Sequence, residues 1–431
     1  MEHLLQYIWQ NRLFYPAGII TNDDASLPVE VLNPGILNKD AGPDFSCAII
    51  KIGDTQWAGN VEIHVDGNDW YTHHHDKDRA YNNVILHVVQ KASAIPAKDS
   101  NGRVIPEIIL RFPDSILERF DTFSLSHSVI RCADSLACMP QLVRDAWLDR
   151  LLIERMQQRV ELVESILTEC GGDWEQALFC MIARSLGQGV NSEQLQTLAR
   201  RTPLRIVKRL SSQMEIEALL YGVAGLLDEL KSEDSDEYVK VLKREFSVLK
   251  ARYRELQGEL QPIIWKRLRI RPGNFPAVRI AQLASVVFAS KGNLSSLYAT
   301  IDIKSIDKSL NLQASPYWES HYDLGRSGSE KSSRIGHSSR RLILLNGIIP
   351  WMYTRARLGS EREKQDNILK MLEFVKPETN SKLDSWIEIG INPENEAEAQ
   401  ALLMLYNGYC QHNKCLHCHW CHYILKKKIN I

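Results

Sequence analysis

The chain has 431 residues, more than one ordinary domain core accommodates, so we expect two or three domains. Its hydrophobic content of 44% and charged content of 24% are typical of globular proteins and exclude a disordered or fibrous chain. No apolar run reaches the roughly 18 residues of a membrane span, and the N-terminus carries no cleavable signal. We therefore expect a cytoplasmic protein without a membrane partner, and composition leaves its oligomeric state open.

Charge is distributed unevenly along the chain, although the formal net charge is only −1. Residues 1–130 contain 10 Lys and Arg against 17 Asp and Glu, a balance of −7, and the remainder contains 42 against 36, a balance of +6. This suits a metal site beside a polyanion-binding surface, and ordinary solvated charge explains it equally well. Nine cysteines, an odd number, favour a reducing compartment over a disulfide framework.

The N-terminal part is predicted to combine one helix with about five strands. Apolar residues at helical spacing predict a helix over residues 3–13. A turn at Gly53-Asp54 is expected to join two strands as a hairpin. Five β-rich runs predict strands, at Val29–Leu32, Cys47–Ile52, Val61–Val65, Val84–Val89 and Ile105–Phe112.

The chain reads as helical from Gln141 onward, with a 3.6-residue period between Trp147 and Leu167. Asn191 is expected to cap a helix, with Gln194 at the capping-box position. The last helix is predicted at 394–409.

These patterns predict an α+β fold in three parts. A β-rich module with a flanking helix occupies residues 1–130, and an α-helical domain occupies residues 131–405. That domain is expected to form one or two subdomains, with a mobile Gly/Ser/Arg-rich loop at 324–339. A cysteine-rich tail follows at 406–431.

A dense group of acids and histidines lies in the β-rich module. Glu62 and His64 are two residues apart on a predicted strand, so their side chains emerge on the same face. Asp44 precedes a strand that can pair with theirs as a hairpin, and His87 can join them from a neighbouring strand. Two carboxylates suit a hard cation, so we predict Mg²⁺ or Mn²⁺ bound by Asp44, Glu62 and His87.

Such a site would catalyse metal-assisted hydrolysis, in which the ion lowers the pKa of a bound water. Asp44, Glu62 and His64 are the predicted catalytic residues, and His64 would orient the water or take its proton. The alternative is structural, because a strand histidine is often satisfied within a core and His73–His75 are typical of an exposed loop.

Several strings identify a family resemblance. They are GPDF at 42–45, WAGNVEIHV at 57–65, DWYTHHHDKDRAYNNVILHVV at 69–89 and RPGNFPAVRIAQLA at 271–284. Together they resemble an uncharacterised bacterial family, domain of unknown function 2851, over nearly the whole chain. That resemblance does not point to any particular activity.

The order Pro43-Asp44, hairpin and Glu62-Ile63-His64 is also similar to the signature of PD-(D/E)xK nucleases. This resemblance implies a helix, three strands, a helix and a strand, with Asp44 and Glu62 as metal ligands and Glu2 as an additional acid. His64 stands where these nucleases have lysine, and histidine is shorter and largely neutral at pH 7.

Two basic clusters in the helical region suggest contact with nucleic acid. The first includes Trp265 and Phe275, and arginines interleaved with aromatic rings can hold phosphates and stack on bases. Solvated faces and ion pairs are the ordinary alternative. The predicted contact residues are Lys266, Arg267, Arg269, Arg271, Arg279, Arg340 and Arg341.

The tail contains Cys410, Cys415, Cys418 and Cys421 at the spacing C-x4-C-x2-C-x2-C. Two successive x2 spacings can direct sulfurs at one centre, so we predict Zn²⁺ or an iron–sulfur cluster at these four residues. Neighbouring histidines can substitute as ligands, and a reduced tail without metal is the alternative.

Two functions from different classes follow. The first is a metal-dependent, nuclease-like phosphodiesterase acting on nucleic acid. The second is a non-enzymatic nucleic-acid or protein-binding module with a structural metal site, and hydrolysis of another small substrate stays open. The geometry of Asp44, Glu62 and His64 separates the first two, because an enzyme requires them to converge in an accessible site.

Overall fold

A computed structural model describes residues 1–22, 25–230, 236–258, 261–298 and 302–427. The chain forms two compact units, each assembled from more than one segment. The N-terminal unit comprises Met1–Trp147, Glu388–Gly390 and Leu403–Ile431, and the helical unit comprises Leu148–Ile387 and Ile391–Leu402. The cysteine-rich tail therefore belongs to the same unit as the N-terminal module.

The strands in the described part of the chain lie mostly in the first 110 residues. They are β1 Val29–Asn33, β2 Ile36–Leu37, β3 Phe45–Ile52, β4 Thr55–Asp66, β5 Val84–Lys91, β6 Glu107–Ile109, β7 His321–Asp323 and β8 Arg326–Ser327. All five predicted strands are confirmed, as β1, β3, β4, β5 and β6. The two-residue strand β2 was not predicted, because it is too short to show a periodicity.

The helices alternate with short 3₁₀ turns and one π-helical segment at Leu344–Ile348. They are α1 Glu2–Gln10, α2 Asp69–Thr72, α3 Asp114–Leu125, α4 Ala133–Leu136, α5 Gln141–Glu169, α6 Trp174–Leu186, α7 Ser192–Arg201, α8 Leu204–Val207, α9 Gln213–Val223, α10 Glu237–Arg252, α11 Pro276–Ala289, α12 Ile303–Ser309, α13 His337–Ile343, α14 Ile349–Leu358, α15 Arg362–Met371, α16 Ser381–Glu388, α17 Glu396–Gly408 and α18 His419–Lys426. A sheet followed by a mainly helical region confirms the predicted α+β class.

The N-terminal unit is built on a mixed sheet with strand order β1-β3-β4-β5-β6, in which β2 pairs with β3. Strands β1, β3 and β4 are antiparallel, and β5 and β6 continue the sheet parallel to β4. The β3–β4 hairpin turns at Gly53, whose φ of +58° favours glycine. A crossover containing α2 returns the chain to β5, and this connection brings residues 69–83 beside the central strands.

Helix α1 packs on β4, as its apolar spacing predicts. Leu4, Leu5, Ile8 and Trp9 are all buried, because the helix presents them on one face. Gly59 of β4 lies against Ile85 of the neighbouring strand β5, and a Cβ on Gly59 would meet the Ile85 side chain at 2.5 Å. The close approach of β4 and β5 at this point therefore requires glycine.

The helical unit has its own core, to which α6, α9 and α11 contribute almost continuous buried faces. Helix α9 begins with a capping box in which Ser212 and Glu215 bond reciprocally. Asn191 is the N-cap residue of α7, as predicted, but its side chain makes no capping bond, so the capping box with Gln194 is not formed. The Asn191 side chain instead bonds the backbone N–H and C=O of Lys266, and thereby ties two loops together.

Two further expectations differ from the structure. The segment 324–339 contains β8 and the start of α13, so it is not entirely loop. The helix predicted at 394–409 is present as α17, but α18 follows it within the tail. Helix α18 was not predicted, because its apolar residues are interleaved with histidines and cysteines.

Candidate metal centre

The two predicted carboxylates lie side by side at the β3–β4 hairpin. The backbone N–H of Asp44 donates to Glu62 Oε2 at 2.9 Å, and the N–H of Ile63 donates to Asp44 Oδ2 at 3.0 Å. Gln6, on α1, donates to the other Asp44 oxygen at 2.8 Å. Antiparallel pairing of Phe45 with Val61 enforces this arrangement, so the expected convergence of Asp44 and Glu62 is present.

Burial changes the acidity of both carboxyl groups. Burial, and next the charge of Glu62, raise the pKa of Asp44 to about 7. Burial raises the pKa of Glu62 to about 8, and Glu62 is only 5% exposed. Asp44 keeps partial contact with solvent. A pair of acids that titrates near neutrality is typical of functional sites.

Three histidines converge on Glu62. One ring nitrogen from each of His64, His73 and His75 lies within 4.8 Å of the others. His64 Nε2 is 3.6 Å from Glu62 Oε1, and His75 Nε2 is 3.4 Å from the same oxygen. The three histidines therefore form a cluster of ring nitrogens, and the Glu62 carboxylate flanks it beside His64 and His75.

The crossover supplies two of these histidines. His73 ends α2, and His74 adopts a left-handed φ of +62°, which is uncommon for a residue with a Cβ. The turn at His74 lets His73 and His75 approach His64 together. Tyr81 stacks on the His75 ring at a centroid distance of 3.8 Å and holds its orientation.

A second layer of hydrogen bonds orients His64. Its Nδ1 lies 2.9 Å from His87 Nε2, and His87 Nδ1 lies 3.1 Å from Glu107 Oε2. Burial opposes ionisation of Glu107, but bonds from His87 and Ser93 outweigh it and lower the pKa of Glu107. We assign the protons to His87 Nδ1 and His64 Nδ1, because the Glu107 carboxylate only accepts. The lone pair of His64 Nε2 then faces Glu62 and His73.

These residues fit a transition-metal ion. Burial, and next His87, lower the pKa of His64 to about 3, so the imidazole is neutral and able to ligate at physiological pH. His75 Nε2 is buried and has no hydrogen-bond partner. Three imidazoles with one carboxylate suit Zn²⁺, Fe²⁺ or Mn²⁺ better than the Mg²⁺ expected from two carboxylates. His87, expected as a ligand, lies behind His64, with its Nε2 beside His64 Nδ1 and its Nδ1 3.1 Å from Glu107 Oε2.

Comparison with protein families identifies the chain. Residues 2–381 match the model described as "Protein of unknown function (DUF2851)". The chain belongs to this family. No curated protein and no solved structure matches it.

The match includes the whole metal centre and ends before the tail cysteines. Within the described residues, no helix has the length and apolar character to cross a membrane.

The tail cysteines lie together with a fifth thiol, Cys132, which was not predicted. Cys421 interacts with Cys415 and Cys418 and also with Cys132, which immediately precedes α4. Interaction with Cys421 lowers the pKa of Cys415 to about 7. Cys410 belongs to the same group, because Cys418, Cys132 and Cys415 all act on its thiol. The odd cysteine count was the signal in the sequence that another thiol was available.

The spacing of these thiols bears on the choice of cofactor. In the described part of the chain, no three cysteine sulfurs lie within 4.8 Å of one another. One tetrahedral Zn²⁺, with Zn–S bonds of about 2.3 Å, requires a tighter group. An iron–sulfur cluster binds its thiolates on separate iron ions, and both cofactors stay predictions for this group of thiols.

The fold pairs three of the predicted nucleic-acid residues with carboxylates and buries a fourth. Arg267 bonds Glu229, Arg340 bonds Asp307, and Arg341 bonds Glu396, so their charges are paired. Arg279 is buried against Asn274, Gln282 and Ser339. The exposed members of the set are Lys266, Arg269 and Arg271.

Proposed function

We propose that this protein is a metal-dependent phosphodiesterase acting on nucleic acid, with its reaction centre in the N-terminal unit. The observation that carries the proposal is the group of His64, His73 and His75, which lies beside the adjacent carboxyl groups of Glu62 and Asp44. A divalent ion held there would polarise a phosphoryl oxygen and lower the pKa of a bound water.

The topology supports the same proposal. The order α1, strands β1 to β4, crossover with α2, and β5 parallel to β4 is similar to the helix, three strands, helix and strand that the resemblance to PD-(D/E)xK nucleases implies, with one additional strand. Asp44 and Glu62 occupy the positions that the resemblance assigns to the metal-binding acids.

The catalytic roles that we propose for these residues differ from those expected from the sequence. His64, with a pKa of about 3, is a poor proton acceptor at pH 7 and serves as a ligand. Asp44 is the better general base, because its pKa of about 7 matches the working pH and its side chain reaches solvent. Glu62 would hold the ion, and Gln6 would keep Asp44 oriented through its hydrogen bond.

The experiment is hydrolysis of labelled single- and double-stranded DNA and RNA by the full chain with Zn²⁺, Mn²⁺, Co²⁺ or Mg²⁺. Asp44→Asn and Glu62→Gln should each reduce cleavage by at least about 100-fold, as expected for a lost general base or metal ligand. Asp66→Asn is the matched control, because Asp66 lies on the same strand face as His64 but bonds Lys91 at the surface. Equal activity of wild type, D44N and E62Q would refute the assignment.

A binding module with a structural metal is the second candidate, and burial favours it. His64 is 1% exposed and His75 is 8% exposed, whereas His73 is exposed and Asp44 is partly exposed. On this alternative, metal would raise the thermal midpoint of the protein while none of the nucleic acids is cleaved.

A further inference from the structure

The helical unit contains a cavity of about 460 Å³ whose wall is cationic. Arg155 and Arg159 reach it from successive turns of α5, and Arg184 reaches it from α6. The remaining polar lining includes Gln188 and Asn346, and Asn346 lies in the π-helical segment. Among the residues that the structure describes, no aspartate or glutamate lines the cavity.

The three arginines bond neutral acceptors. Among the described residues, none of the three forms an ion pair within 4.0 Å. Arg155 Nε donates to Gln400 Oε1 at 2.5 Å, and Arg159 donates to the carbonyl of Leu345 at 2.9 Å. Arg184 donates to the Gln196 side chain at 2.8 Å.

Two carboxylates attract the cavity arginines electrostatically without forming an ion pair with them. Glu378 and Glu396 attract Arg155 and Arg159, but Glu396 itself accepts a hydrogen bond from Arg341. Burial, and next the charge of Arg155, lower the pKa of Arg159 to about 9. The cavity therefore holds positive charge that the fold leaves uncompensated, and partly buried charges are normally paired.

A second cationic cavity adjoins the first. It has a volume of about 300 Å³, and Arg269, Arg271 and Arg279 line it. Gln188 lines both cavities, so they lie next to each other. The two hollows together offer successive positions for negatively charged groups.

We propose that the cavity formed by Arg155, Arg159 and Arg184 binds a phosphate ester. Guanidinium groups present planar pairs of donors that match phosphate oxygens, and the hydrogen bonds are strengthened by charge on both partners. The volume lies in the range of small-molecule sites, about 300–1,000 Å³, so it admits a phosphate with its attached sugar. The π-helical segment beside it is of a kind often found at functional sites.

The phosphate ester has two sources, a free nucleotide or a nucleic-acid strand, and both present the same chemistry to the arginines. The proposal does not depend on the metal centre, because all the residues that carry it belong to the helical unit. Binding is therefore tested without divalent metal, and a failure of catalysis leaves its outcome unaffected.

The experiment is calorimetric titration of the full chain with ADP, and separately with a fluorescent 12-nucleotide oligodeoxythymidylate. Arg155→Gln and Arg159→Gln should each weaken binding by about tenfold or more, as expected for a lost hydrogen bond between charged groups. Arg200→Gln is the control, because Arg200 pairs with Glu169 on the surface of the same unit. The R200Q variant should bind each probe with the same affinity as wild type.

The two probes distinguish the source of the phosphate. Binding of ADP that excess oligonucleotide does not displace would assign a free nucleotide, and tight binding of the oligonucleotide would assign a strand. A thermal midpoint that ADP raises in wild type but not in R159Q gives a second readout. The proposal is overturned if wild type binds neither probe, if the arginine variants bind as tightly as R200Q, or if citrate binds more tightly than ADP.

Discussion

Replacement of His87 by leucine should weaken metal binding although His87 does not reach the metal position. His87 Nε2 accepts the Nδ1–H of His64, and this bond leaves His64 Nε2 unprotonated and facing Glu62. Leucine has a comparable volume and no acceptor. His64 then loses the partner that selects its tautomer, and loss of such an outer hydrogen bond typically costs 10- to 100-fold in metal affinity.

The same substitution should also destabilise the metal-free protein, by an amount that the contacts allow us to estimate. The buried Nδ1–H of His64 is left without its acceptor, which costs about 1–3 kcal/mol. Glu107 loses one donor but keeps Asn22 and both donors of Ser93, so its loss is about 1–2 kcal/mol. The total of about 2–5 kcal/mol is large beside a typical stability of about 5–15 kcal/mol.

Val88→Ala provides the matched control, because Val88 is the next residue of β5, is fully buried and faces the other side of the sheet. It should cost about 2 kcal/mol through lost burial and leave metal affinity unchanged. Urea unfolding of the apoprotein measures the stabilities, and titration with Co²⁺, followed by visible absorption, measures the affinities. If H87L binds Co²⁺ as tightly as V88A does, the relay from Glu107 through His87 does not orient the metal ligand.

Two further outcomes are expected. Without metal, the free energy of unfolding should fall between about pH 4.5 and about pH 8, because folded Glu62 keeps a proton that the unfolded chain releases above its ordinary pKa of 4.5. Urea unfolding at half-unit pH intervals checks the sign, and a rise in stability over that interval would contradict the raised pKa. Cys132→Ser should release iron or zinc from the tail, whereas Cys138→Ser, at an exposed thiol six residues away, should retain it. Elemental analysis of anaerobically purified protein decides, and equal metal contents would exclude Cys132 as a ligand.

The sequence predicted the parts of the site that lie close together along one strand. Glu62 and His64 share a face because strand side chains alternate, and a hairpin necessarily returns Asp44 to them. The same local reasoning located all the longer strands of the sheet and helix α1. Local periodicity is sufficient wherever the contacts that matter are between neighbours in one strand or one hairpin.

Contacts that depend on tertiary register could not be predicted in this way. His73 and His75 are brought to His64 by one left-handed residue, His74, whose conformation leaves no sequence pattern. Glu107 meets His87 only because β6 pairs with β5 in a particular register. Cys132 joins the tail across nearly 300 residues of chain, and no spacing rule relates residues so far apart.

The basic clusters show what sequence density alone does not reveal, namely which of their charges are paired in the fold. Arg267, Arg340 and Arg341 are close in sequence to other cations, but each is neutralised by a carboxylate from elsewhere in the fold. Arg155 and Arg159 do not stand out in the sequence, because single arginines on a long amphipathic helix are common. What distinguishes them is the absence of a paired carboxylate within 4.0 Å in the described part of the chain, which only three-dimensional contacts reveal.

The energetics of the N-terminal cluster indicate why metal occupancy and folding should be coupled there. Glu62 is buried among neutral imidazoles, and its raised pKa shows that its carboxylate form is disfavoured when no cation is present. A divalent ion bound as proposed would reverse this balance, because Glu62 and the lone pairs of His64 and His75 would become its ligands. The unfolded chain cannot assemble these ligands, so binding would stabilise the fold by about 2.7 kcal/mol when free metal is 100-fold above the dissociation constant. The cluster that weakens the apoprotein would therefore strengthen the metal-bound form, and the Glu107–His87–His64 relay would keep the ligands oriented for the ion.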